Sequence, residues 1–282
     1  SRCNYIFVSH KSSDENEINF NIGKLLNQDE IKEICKEISK KTIYKDITCL
    51  LFSWAGGPRT NQNLERTWII NTNIIINFIE ICKVINPSNI VFLSSAGSIY
   101  PQNNKDYSYK ENDSVNPLTD YGYQKYLSEV FLSNYANHTK INLTILRISS
   151  AYGFDNRFSD QGVINKWIYS AVNNKSLKLY NSLESLINFI SFDQISDAIK
   201  ISIDKKLNGI FNIGSDRSIS LSLILKIIQD TTKRKLDLEI INEKDRFFNL
   251  NTQKFFSKTE KIFYLSIEKD IKTIYKKIIS GI

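Results

Sequence analysis

The sequence predicts an α/β fold built on a doubly wound parallel sheet with helices on both faces. Three observations predict it. Near-continuous apolar runs of strand length, Ile47–Trp54 and Ile90–Ser94, have the character of parallel strands buried on both faces. Longer stretches with helical periodicity lie between such runs, Leu64–Val84 being the longest. Strand-like and helix-like segments alternate from Tyr5 to Ile148, the order that winds helices over a parallel sheet.

The elements follow in order. Tyr5–Ser9 reads as a strand, and Asp29–Lys40 as a helix with Ile31, Ile34 and Ile38 on one face. The Ile47–Trp54 strand enters a loop at Ala55-Gly-Gly-Pro58. The long helix Leu64–Val84 leads to the strand Ile90–Ser94, the helix Tyr121–Asn137 and the strand Leu143–Ile148. After Tyr152-Gly153 the elements shorten. A helix is expected at Gly162–Asn173, strands at Leu177–Tyr180 and Asn188–Phe192, and a helix at Asp193–Asp204 with Asp193 as its N-cap. A strand at Ile210–Ile213 and a helix at Leu221–Thr231 complete the pattern.

Composition narrows the function classes. The chain has 282 residues, 41% hydrophobic and 24% charged, as an ordinary globular protein has. Its most apolar stretch, Trp68–Cys82, is broken by Asn71, Asn73, Asn77 and Glu80, so no membrane partner is expected. No secretory leader is visible, and a cytoplasmic location is expected. The net charge of +7 comes from lysines scattered throughout, so no nucleic-acid partner is expected. Cys3, Cys35, Cys49 and Cys82 lack metal-ligand spacing, and His10 and His138 are isolated; buried thiols and no metal are expected. Met is absent even from position 1, so either the chain starts inside a longer reading frame or Met residues are missing from it.

The most informative residues are Tyr121 and Lys125, in Asn116-Pro-Leu-Thr-Asp-Tyr-Gly-Tyr-Gln-Lys125. Positions i and i+4 share a helix face one turn apart. A fixed ammonium beside a phenol favours the phenolate and lowers its pKa. Such a phenol can take a proton from a hydroxyl and return it near neutral pH. The spacing alone also fits an amphipathic pair on a surface helix.

The surroundings carry the case. Val91-Phe-Leu-Ser-Ser-Ala-Gly-Ser-Ile-Tyr-Pro101 stands upstream and Leu146-Arg-Ile-Ser-Ser-Ala-Tyr-Gly153 downstream. Ala55-Gly56 follows the earlier strand, Asn71 lies in the next helix, and Asn212-Ile-Gly214 with Ser220-Leu221 comes late. This order resembles the extended short-chain dehydrogenase/reductase family, in particular the nucleotide-sugar epimerases and dehydratases typified by UDP-glucose 4-epimerase.

The resemblance implies a Rossmann-like NAD(P)-binding domain over residues 1–150, with 187–204 returning to it. A smaller substrate-binding lobe would cover 151–186 and 205–282. It implies an NAD(P)-dependent epimerase acting on a nucleotide sugar. Tyr121 would be the proton carrier and Lys125 its partner on the nicotinamide ribose. Cofactor contacts fall on Ser9, His10, Lys11, Asn21, Ile22, Ala55, Gly56, Asn71, Ser94, Tyr121, Lys125 and Ile148. Substrate contacts fall on Ser98, Tyr121, Ser150 and Arg246. A homodimer built on the helices around Asn71–Val84 and Tyr121 is implied as well.

The sequence departs from the family pattern at several points. Ala96 stands where a Ser or Thr is usual. Strand-like alternation would put positions 96 and 98 on one side, so Ser98 is the expected hydroxyl partner, with Ser95 in reserve; both also fit turn-forming serines. Ile187 replaces an Arg, Ser150 an Asn, and Asn21 an Asp. Arg246 matches the late Arg that grips a diphosphate, or is a surface ion-pair partner. No Gly-x-x-Gly-x-x-Gly turn precedes Tyr5, and the first β-α unit of the fold is expected to be missing. Ser9-His10-Lys11, with no acid until Asp14, leans from NAD towards NADP.

Two alternatives remain. One is an NADP-dependent reductase of a 4-keto nucleotide sugar, which would consume its cofactor. The other is a non-catalytic relative keeping the fold as a binding or assembly module. Gly97-Ser98 stands where dehydratases carry Asp-Glu, which argues against dehydration.

Overall fold

The computed structural model describes residues 7–9, 17–19, 23–41, 46–52, 54–57, 63–101, 105–154, 162–241 and 244–280. In chain order the elements are β1 (Phe7–Ser9), β2 (Glu17–Asn19), α1 (Gln28–Lys41), β3 (Thr48–Leu51), α2 (Leu64–Ile85), β4 (Asn89–Ser95), α3 (Ala96–Ile99) and β5 (Ser108–Tyr109). Next come α4 (Asp120–Thr139), β6 (Asn142–Ile148), β7 (Ser150–Tyr152), α5 (Val163–Asn173), β8 (Leu177–Leu179), β9 (Leu186–Ser191) and α6 (Phe192–Asp204). The chain ends with β10 (Gly209–Ile213), β11 (Ser218–Ser220), α7 (Leu221–Thr232), β12 (Leu238–Ile240), β13 (Phe247–Leu250), α8 (Gln253–Thr259) and α9 (Ile267–Ser280). The fold is the expected α/β class with parallel strands.

Two units are distinct. The first comprises Ser1–Ser94, Pro117–Ile145 and Lys206–Gly209; the second comprises Ser95–Asn116, Leu146–Lys205 and Ile210–Ile282. One sheet has the strand order β10-β6-β4-β3. In the first unit β3 and β4 run parallel, with Thr48 opposite Asn89 and Leu51 opposite Phe92. β1 and β2 form a separate parallel pair.

Local chemistry explains the helices of the first unit. Asn27 and Glu30 form a reciprocal cap on α1: Glu30 N donates to Asn27 Oδ1 and Asn27 N to Glu30 Oε2, both at 2.9 Å. Ile31, Ile34, Cys35 and Ile38 then pack with Ile81 of α2. Asn63 caps α2 by accepting from Arg66 N at 3.1 Å, and Asn86 ends it in the left-handed conformation. By length and composition α2 could span a membrane. The asparagines inside it have local partners, however. Asn77 takes Leu26 N and gives to Lys24 O, and Asn73 gives to Gly23 O. Cys35 and Cys82 are buried free thiols as expected, whereas Cys49 is only half-buried; Cys3 lies outside the described residues.

In the second unit β9 sits among β11, β13 and β7. It pairs antiparallel with β11 and parallel with the other two. β9 ends at Ser191, and Phe192 opens α6 rather than closing the strand. Asp193 is not the N-cap. Ser191 is, because Gln194 three residues on completes a capping box, and Asp193 lies in the first helical turn.

The motif residues Tyr100, Arg147 and Asn212 meet in one buried network of this unit. Tyr100 Oη donates to Asn212 Oδ1 at 2.9 Å and accepts from Arg147 Nη1 at 2.8 Å. Asn212 N donates to Glu111 Oε1 at 2.8 Å. Burial raises the Tyr100 pKa to about 12, against the pull of Arg147, so the phenol stays a donor.

Gly214 follows Asn212 for a steric reason. A Cβ there would lie 2.2 Å from Asn188 Oδ1, which accepts from Ser215 N at 3.1 Å. Asn188 is itself buried and donates to Ser215 O at 3.0 Å. Gly214→Ala should therefore destabilise the protein by about 2 kcal/mol, through overpacking and a broken buried bond. An unchanged denaturation midpoint would show that Asn188 has room to move.

Candidate active site

Helix α4 carries Tyr121 and Lys125. Thr119 Oγ1 caps it by accepting from Gly122 N at 3.1 Å. The helix turns a polar stripe inward: Gln124, Lys125, Ser128 and Glu129 are all buried. Ser128 is satisfied by the Gln124 carbonyl at 2.8 Å.

Lys125 is 4% exposed. Its Nζ donates to Leu93 O, near the end of β4, at 2.8 Å. The amine lies 4.2 Å from the centre of the Trp54 ring, 4.9 Å from that of Phe92 and 5.9 Å from that of Tyr121. Burial lowers its pKa from 10.5 to about 7, and the Glu129 carboxylate pulls only partly the other way. This corrects the expectation of a fixed ammonium. Desolvation outweighs the single acid, so near neutral pH the amine is divided between charged and neutral forms.

The segment after β3 is held by Asn71. Ala55 N donates to Asn71 Oδ1 at 2.8 Å, and Asn71 Nδ2 donates to Ala55 O at 3.0 Å. Asn71 Nδ2 also reaches Gln124 Oε1, tying α2 to α4. This double clamp sets the backbone where Gly56 adopts φ +81, a conformation that side chains disfavour. Two buried polar atoms have no hydrogen-bond partner: Trp54 Nε1, next to Ala55 in the chain, and Ser94 Oγ, next to Leu93. Leaving such a group unmatched costs about 1–3 kcal/mol, a cost that a bound polar ligand relieves.

The remaining predicted residues are placed as follows. Ala96–Ile99 is a helical turn, so positions 96 and 98 do not alternate as in a strand. The turn instead sets Ser95 and Ser98 at i and i+3, with Ser95 Oγ donating to Ser98 Oγ at 3.1 Å. Arg246 reaches the same turn, its Nη2 donating to Gly97 O at 2.7 Å. Ser150 opens β7 opposite Phe189, half-buried. Ile148 is buried at the end of β6 and Ile187 within β9. Ser9 ends β1; His10, Lys11, Asn21 and Ile22 lie outside the described residues. Among the described residues no group of three His, Cys, Asp or Glu could hold a metal.

Sequence patterns missed Trp54, Gln124, Glu129 and Ser149, whose buried Oγ also has no partner. A Trp closing a strand and a Gln one position before Lys125 carry no local signal.

Comparison with known proteins agrees with this fold. The fold superposes on a crystal structure of UDP-glucose 4-epimerase from Thermotoga maritima with UDP-glucose. The TM-score is 0.79 and the identity 18%, over 94% of this chain and 84% of that one. The chain is 27% identical over 197 residues to a putative UDP-glucose 4-epimerase of Methanocaldococcus jannaschii, covering 69% of this chain. It is 26% identical over 208 residues to a dTDP-4-dehydro-6-deoxyglucose reductase of Escherichia coli, covering 73% of this chain. The matched stretch spans 64% of the length of each of these two relatives. The model of the NAD dependent epimerase/dehydratase family matches residues 2–214, including the Ala55–Gly56 segment, the serine turn, the Tyr121–Lys125 helix and the Asn212 network. The chain belongs to the NAD dependent epimerase/dehydratase family, within the extended short-chain dehydrogenases/reductases.

Proposed function

We propose that the protein is a nucleotide-sugar 4-epimerase. The observation that carries this reading is the inward placement of Lys125 beside Tyr121, with the amine held at Leu93 O. Tyr121 Oη takes the proton of a sugar hydroxyl and gives it back. Lys125, when charged, favours the phenolate. Ser98, with Ser95 donating to it, offers its hydroxyl to the sugar oxygen. Arg246 suits a diphosphate by bidentate bonding, and Ser150 a sugar hydroxyl.

A dinucleotide fits the residues present: Trp54 Nε1 and Ser94 Oγ are buried and unmatched, and Gly56 leaves bare backbone for close approach. Bound nicotinamide supplies the acceptor and donor of hydride. Ala55, Gly56, Ser94 and Lys125 would hold it, with Asn71 setting the loop. Ser9-His10-Lys11 favours NADP over NAD, and equal affinity for both would remove that preference.

The test is turnover of UDP-sugars carrying deuterium at C4, followed by NMR. An epimerase returns the label to the product without net cofactor use. Stoichiometric NADPH consumption on a 4-keto sugar would establish the reductase instead, a reading favoured by the Escherichia coli relative. Absence of both activities would favour a binding module.

The outer faces of α2 and α4 support a homodimer. The two helices pack together. Ile69 and Ile76 of α2 and Tyr123, Leu127, Val130 and Phe131 of α4 are exposed, Phe131 at 60%. Helix-spaced apolar residues on a solvent face mark a protein interface. The double substitution Leu127→Glu, Phe131→Glu should convert a sedimenting dimer to a folded monomer. A wild type that sediments as a monomer at micromolar concentration would remove the proposal.

A further inference from the structure

The surroundings of Lys125 hold more than a hydrogen bond. A fully buried ammonium ordinarily sheds its proton or finds a carboxylate. Lys125 has Leu93 O at 2.8 Å and Glu129 one turn along α4. Three aromatic faces complete its shell: Trp54 at 4.2 Å, Phe92 at 4.9 Å and Tyr121 at 5.9 Å. Trp54 and Phe92 are tilted 54° to each other with centroids 6.2 Å apart, so two ring faces bracket the amine. A cation within about 6 Å of a ring centroid is attracted by the ring quadrupole, most strongly by Trp and most in a dry site.

We propose that Trp54 is a positioning residue for the reaction. Its indole face retains the proton on the buried Lys125 amine, so that Tyr121 keeps a cation beside it. Trp54 acts through Lys125, so it belongs to neither the proton relay nor the sugar contacts. The groups that face the amine are few. From α4 come Glu129 and Tyr121; from β4, the Leu93 carbonyl and the Phe92 ring; from the segment after β3, the indole. Asn71 of α2 is engaged with Ala55 and Gln124. Among the described residues Glu129 is the one acid that acts on the amine, and it offsets only part of the burial; the ring faces add their attraction to it.

The inference rests on the proposed role of Lys125 as the charge partner of Tyr121. Its test reads the amine directly, so failure of the epimerase reading would leave the measurement unchanged. Protein labelled with carbon-13 at lysine Cε is titrated by NMR, the Lys125 signal being assigned through Lys125→Arg. Trp54→Leu, which keeps apolar bulk but no ring, should lower the Lys125 midpoint by about one pH unit. Trp54→Phe should recover most of that shift. An equal fall in Leu and Phe, or no fall in Leu, would reduce Trp54 to packing and overturn the proposal. If Trp54→Leu does not fold, fluorotryptophan incorporation keeps the shape and weakens the ring quadrupole. The midpoint should then fall step by step with fluorination, and a constant midpoint would overturn the proposal.

Discussion

Replacing Tyr121 by Phe should lower turnover of the proposed nucleotide-sugar substrate by about a thousandfold, with the thermal midpoint little changed. The size follows from what a positioned acid–base group contributes, roughly 10²–10⁴ in rate. The ring can keep its place 5.9 Å from Lys125 Nζ, because only the hydroxyl is removed. Binding of the sugar nucleotide should change little, so the loss should appear in kcat rather than KM. Equal turnover by the Phe variant would remove Tyr121 from the chemistry and leave the non-catalytic module as the better account.

The second large effect concerns stability. The Lys125 pKa is about 7 in the folded protein, against an ordinary value of 10.5. Between these values the unfolded chain binds the proton and the folded one does not, so stability rises with pH across that window. Below pH 7 both states are protonated, and the folded protein carries the whole cost of a buried charge. Lys125→Met should therefore stabilise the protein most at pH 6, and the gain should vanish as pH approaches 10.5. The gap of about 3.5 units corresponds to roughly 5 kcal/mol. Met also leaves Leu93 O without its donor, which reduces the expected net gain to about 2–4 kcal/mol. Denaturation at pH 6 and pH 10 measures it, and an equal gain at both pH values would rule out the buried charge as the cause. The proposed activity should be lost in the same variant, a direct exchange of function for stability.

The strands and helices were legible because burial on both faces writes long apolar runs, as at Ile90–Ser94, and one-sided burial writes a period, as at Ile31, Ile34 and Ile38. The serine turn was not. Ala96-Gly-Ser-Ile continues an apolar strand in composition, and a single helical turn is too short to show its period. The cap at Ser191 was readable from Gln194 three residues on, but Asp193 offered a competing acid. The clamp of Asn71 on Ala55 and Gln124 could not be read locally, since it joins residues 16 and 53 positions apart. Trp54 was hidden for the same reason. An aromatic at a strand end is ordinary, and its meaning lies in an amine far along the chain. Tyr100, Arg147 and Asn212 lie in three separate motifs that carry the resemblance, and the buried network joins them.

Over Tyr123–Phe131 helix α4 is inverted: Gln124, Lys125, Ser128 and Glu129 are buried while Tyr123, Leu127, Val130 and Phe131 are exposed. That arrangement leaves no tolerance for insertion or deletion. One added residue turns all that follows by about 100°. If the change fell between Tyr121 and Lys125, the phenol would keep its direction while the amine swung towards the outer face. If it fell just after Lys125, Tyr121 and Lys125 would keep their directions, but Leu127 and Phe131 would take inward positions and Glu129 would turn outward. Within Asp120–Thr139 the chain can therefore vary in residue type but not in length, and relatives that share this site should align across those 20 positions without a gap.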